Sequence, residues 1–129
     1  MTGERDLGRL LAGLSPERRH GEVVIVAVPD PAGLPALATV TEEDAVTAVL
    51  RRDDADRLGL RYDWIAAWIT LTVHSSWEAV GMTAAVAQAL ADEGIPCNVL
   101  AGFRHDHLLI PIEQADSAIA ALRSLAGAS

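Results

Sequence analysis

Residues 64–112 read WIAAWITLTVHSSWEAVGMTAAVAQALADEGIPCNVLAGFRHDHLLIPI, and their order of periods decides the fold. Trp64 to Val73 is apolar apart from two threonines, the profile of a strand covered on both faces. Alternation sorts it into Ile65, Ala67, Ile69, Leu71 and Val73 on one side and Trp64, Ala66, Trp68, Thr70 and Thr72 on the other. HSSWEAVG breaks the period. Met82, Val86, Ala89 and Leu90 then restore one at helical spacing, and Gly94 stops that helix because glycine tolerates the left-handed conformation. Cys97 to Ala101 and His107 to Ile112 follow as two short strands joined at Gly102. Strand, loop, helix, strand, strand is the front of a ferredoxin-like unit. A last helix, Glu113 to Leu125, sets Ala115, Ala118, Ile119, Leu122 and Leu125 on one face.

Upstream, Asp6 is placed to cap a short helix carrying Leu7, Leu10, Leu11 and Leu14, which Ser15-Pro16 ends. Glu22 to Val28 (EVVIVAV) is a β-branched run and therefore an inner strand. The prolines and glycine of residues 29–35 (PDPAGLP) make a stiff loop. Ala36 to Thr41 and Ala45 to Leu50 read as strands around an acidic turn, and Asp53 to Leu58 as a short helix stopped by Gly59.

The chain thus divides into a first lobe, residues 1–61, with order β-loop-β-β-α, and a second, residues 62–129, with order β-α-β-β-α. The second lobe ends where a complete ferredoxin-like unit would have a fourth strand. The expected fold class is α+β: two intimately packed βαββαβ-type lobes with antiparallel sheets that complete one another, the strand at 62–73 shared or central. The Trp64/Trp68 stripe is then core between lobes, a homodimer interface, or a pocket wall.

In 129 residues, half of them apolar, one compact domain or two half-size lobes can bury a sizeable core. Ten arginines, no lysine and eighteen carboxylates give a net charge of −8, which repels a phosphate backbone and argues against nucleic acid. No apolar run is long enough to span a membrane. The N-terminal residues lack a signal-peptide core, and a single cysteine makes no internal disulfide, so a cytoplasmic location is expected.

The loop from His74 to Met82 lies between a strand's end and a helix start, where bare amides and the helix dipole favour a carboxylate. Gly81 lets the backbone approach an anion, and Ser75, Ser76 and Thr83 add hydroxyls. The string HSSWEAVGMTAAVAQALADEGIPCNVLAGFRHDH resembles the ACT domain, in particular small bacterial proteins built of two ACT-like units in tandem. That resemblance implies a regulatory, non-catalytic protein that binds an amino acid at a lobe or dimer interface. It assigns ligand contact to Val80, Gly81, Met82 and Thr83 and, on the next strand, to Asn98 and Val99. It implies no cofactor and points to a homodimer.

Rival readings remain open. A helix entry with serine caps and a glycine turn is ordinary at any strand–helix junction, leaving an interaction module without ligand. His105 and His107 share a face if extended and could chelate a metal with His74 or His20 as third ligand, giving a metal-dependent hydrolase. His105 otherwise serves in ligand recognition or at a polar hairpin rim. Cys97 opens a strand that reads as buried, where a thiol acts as a small hydrophobe.

Overall fold

The computed structural model describes residues 6–73 and 80–128. The elements are α1 (Leu7–Ala12), β1 (Pro16–Arg18), β2 (Val23–Val28), β3 (Ala38–Thr41), β4 (Val46–Arg51), α2 (Arg52–Arg57), β5 (Ile65–Leu71), α3 (Met82–Asp92), β6 (Asn98–Ala101), β7 (Asp106–Pro111) and α4 (Ala115–Gly127). A 3-10 turn, Ile112–Gln114, leads into α4. Asp6 caps α1 as its sequence position suggests, its carboxylate accepting the Arg9 N–H at 3.0 Å.

The described residues form one seven-stranded antiparallel sheet in the order β3-β4-β2-β5-β7-β6, with β1 also paired to β5. Strand β5 joins the halves. One edge takes β7 along Ala66 to Leu71. The other takes β2 at Ile65 and Ala66, then β1 at Ile69 to Leu71. The position of a ferredoxin-like unit's fourth strand, beside β5, is therefore taken in the second lobe by β1. The Thr72 N–H extends this pairing to the Ser15 carbonyl at 3.0 Å. The sheet is continuous, so the lobes stand side by side across a shared strand.

The register between β1 and β2 slips. Arg18 faces Ile69 and Val23 faces Ala66, so Arg19, His20, Gly21 and Glu22 stand opposite only Ala67 and Trp68. Gly21 takes φ +79° to absorb the excess, and Arg19 N–H still reaches the Trp68 carbonyl at 2.9 Å.

Alternation along β5 sorts its side chains as the sequence requires. Ile69 and Leu71 face the helices, in a core with Leu10 and Leu14 from the N-terminal segment, Met82, Val86 and Leu90 of α3, Leu108 and Ile110 of β7, and Ala118 and Leu122 of α4. Each fully buried leucine or isoleucine contributes about 1.5–3 kcal/mol. In the first lobe, α2 packs Ala55 onto Val24, Val26, Val28, Ala48 and Leu50, with Leu34, Ala36, Leu60 and Tyr62 at the margin. The loop at 29–35 stands there where the second lobe has a helix. The opposite face carries Val23, Val49, Ala66, Trp68 and Leu109, drawn from both lobes, and Trp68 is only 4% exposed. The tryptophan stripe is core that spans the lobes.

One local expectation fails. The strand after Cys97 reads as buried, but β6 is an outer strand with mostly exposed side chains. Apolar composition does not distinguish an edge from a centre; pairing does.

Candidate ligand-binding site

Gly81 occupies the N-cap of α3 with φ +94° and ψ −14°, a left-handed conformation that an L side chain resists. A Cβ there would also meet Leu7 Cδ2 at 3.2 Å, because α1 packs against the turn. The Ala85 N–H reaches the Gly81 carbonyl at 2.9 Å and starts the helical ladder. The amides ahead of it have no intrahelical acceptor, and glycine brings no side chain to cap them.

Beside this turn lies a small hollow of about 10 Å³, lined by Leu71, Met82, Thr83, Val86, Val99, Asp106 and Leu108. Asp106 is its one charged group. Burial raises the carboxyl above the ordinary aspartate value, against the opposing pull of His107 and His105. Sequence reading missed this aspartate. Its signal was there, an acid two and four residues ahead of Leu108 and Ile110 on the helix-facing side of β7.

Of the residues singled out from sequence, Met82, Thr83 and Val99 converge on this hollow. Val80 is 81% exposed and precedes the turn. Asn98 neighbours Val99 on β6, so alternation directs its side chain to the other face, where its cross-strand partner Leu109 lies. His105 sits in the turn before β7, its carbonyl accepting the Gly102 N–H at 2.9 Å. Ser75, Ser76 and His74 lie outside the described residues.

The two histidines of the 105–107 segment are differently placed. His107, on β7, meets the Trp68 Nε1 at 3.2 Å and the Thr70 Oγ1 at 3.0 Å through its Nδ1. Among the described residues no three His, Cys, Asp or Glu side chains gather to hold a metal ion. Cys97 is half-buried against the helix-side core, and burial pushes its thiol up, so it behaves as a small hydrophobe. No helix among the described residues is long and apolar enough to cross a membrane.

Comparison with known proteins gives two family-model matches, each described as an ACT domain, over residues 2–67 and 65–124. No curated protein matches the chain. Among solved structures, VC0802 from Vibrio cholerae, a protein of unknown function described as a possible transport protein, is similar at 41% identity with a TM-score of 0.85, covering 93% of this chain and 95% of that one. Atu0741 from Agrobacterium tumefaciens is 18% identical, TM-score 0.67, covering 88% and 89%. The regulatory subunit of aspartate kinase from Thermus flavus is 13% identical, TM-score 0.60, covering 88% and 96%. The last two likenesses concern the fold.

Proposed function

The chain belongs to the ACT domain family, and on that premise we propose that it is a non-catalytic regulatory protein whose ligand, an amino acid, seats where the glycine turn before α3 meets β6 and β7. The observation that carries this reading is the left-handed Gly81 opening α3 beside a hollow whose charged group is Asp106. An amino acid offers one anion and one cation a short distance apart. Its carboxylate rests on the amides of Gly81, Met82 and Thr83, where the helix dipole favours negative charge. Its ammonium pairs with Asp106. The hollow admits only about one water, so the ligand lies across its mouth, flanked by Val80, Val99 and the hydroxyl of Thr83, with His105 at the rim.

Binding at this turn tightens α1, α3 and β7 against one another and so signals through their packing. The protein works as a homodimer, for which the short edge strands β3 and β6 offer unpaired backbone. The small size of the hollow favours one other reading, a constitutive interaction module without ligand.

Thermal shift against the twenty amino acids separates the two. Occupancy at a hundredfold excess over Kd adds about 2.7 kcal/mol and raises Tm by several degrees. Gly81→Asp and Asp106→Asn abolish the shift in a protein that still melts cooperatively. A flat panel at millimolar concentrations leaves the interaction module.

A further inference from the structure

The face of the sheet without helices carries a second opening, a cleft of about 310 Å³ lined by Arg19, His20, Val23, Leu37 and Arg51. That volume is in the range of small-molecule sites. Val23 and Arg51 are direct cross-strand partners on β2 and β4, so their side chains share this face. Arg19 and His20 are brought to it by the register slip between β1 and β2, where four residues stand against two. Bulges of this kind re-aim side chains and recur beside functional sites.

We propose that this cleft binds a small, doubly charged oxyanion, a phosphate monoester or a dicarboxylate, held between Arg19 and Arg51 with His20 as a further donor.

The charge pattern supports it. The chain has eighteen carboxylates for ten arginines, yet no carboxylate lines this cleft and two guanidiniums do. The acid nearest in sequence, Glu22, is held by Arg52 Nη1 at 2.7 Å. Arg19 is pre-positioned: its guanidinium carbon lies 4.3 Å from the centre of the Trp68 ring. Stacking occupies the flat face of a guanidinium and leaves its in-plane N–H fork for a carboxylate or phosphate. Val23 and Leu37 supply an apolar wall for the ligand's carbon skeleton. The charge on Arg19 is felt nearby, since it helps to lower the pKa of His107. This cleft and the hollow at Gly81 lie on opposite faces of the sheet, so the two sites stand or fall separately.

Isothermal titration calorimetry of the whole chain with inorganic phosphate, succinate and, as a monoanion, acetate tests the proposal. At least one dianion binds with a submillimolar Kd, weakened by added salt. Phosphate alone identifies a phosphate ester and succinate alone a dicarboxylate. Arg51→Gln weakens binding about tenfold or more, because a hydrogen-bonded charge is lost. In NMR titrations the saturating anion raises the pKa of His107 by offsetting Arg19, a shift that a purely structural arginine does not give. Arg19→Gln uncovers Trp68 and is open to misfolding; Arg51, exposed at a strand end, carries the test without that difficulty. Absence of binding by either dianion up to about 10 mM, affinity for acetate equal to that for the dianions, or an unaltered Kd in Arg51→Gln overturns the assignment.

Discussion

Trp68 Nε1 donates to Nδ1 of His107 across 3.2 Å, and so ties the shared strand β5 to β7. An indole N–H can only donate, so this imidazole nitrogen is the acceptor and the ring is neutral. Charging His107 would set a second N–H against the indole. Burial, then the positive charges of Arg19 and His105, lower its pKa, with Asp106 opposing.

Stability should therefore fall on mild acidification. Above the ordinary histidine value of 6.5 the neutral ring's contribution is fully present. As pH drops from there to the lowered native value, the unfolded chain takes up a proton that the native chain refuses, and stability is lost. Asp106 has the opposite sign: its raised native pKa adds stability as pH falls further, through the carboxylate range. Urea midpoints measured between about pH 7.5 and 5.5, above most of the carboxylate range, should decline in the native sequence and flatten in His107→Gln. Parallel slopes would show that another group governs.

Gly102 is needed for space. A Cβ there would lie 2.7 Å from the His105 carbonyl oxygen and 2.9 Å from His107 Nε2. Gly102→Ala should cost about 1–3 kcal/mol by overpacking. Gly8, inside α1, would place its Cβ at an ordinary 3.4 Å from Asp6 Oδ1, so Gly8→Ala should instead add about 0.5–1 kcal/mol. Chemical denaturation of the pair reads the contrast in sign.

Leu10 is fully buried in the second lobe's core although it lies near the start of the chain. Leu10→Ala should cost about 2–5 kcal/mol through lost burial and the cavity left behind. Amide exchange should quicken in α3 and α4 if α1 is part of that core. Faster exchange confined to β3 and β4 would contradict the packing described above.

Because β5 serves both halves, the lobes should unfold together. Tryptophan fluorescence and far-ultraviolet circular dichroism should give one coincident urea transition. Two separated transitions would mean that the shared strand does not couple the lobes.

Periodicity alone determined much of this protein. The two faces of Ile65 to Leu71, the helix from Met82 with its glycine stop and the β-branched inner strand β2 all follow from residues close in sequence, because side-chain direction repeats every two or every 3.6 residues. The glycine turn was legible for the same reason. What only the tertiary structure decided depends on pairing between distant segments. Pro16-Glu17-Arg18 has no strand pattern and becomes β1 because β5 presents a free edge beside it. The apolar β6 is exposed because no strand among the described residues pairs beyond it. Asp106 enters the hollow at Gly81, and Arg19 joins Arg51 across the open face, through registers that no local period encodes: hydrogen-bonded neighbours in a sheet are chosen by the whole chain's burial.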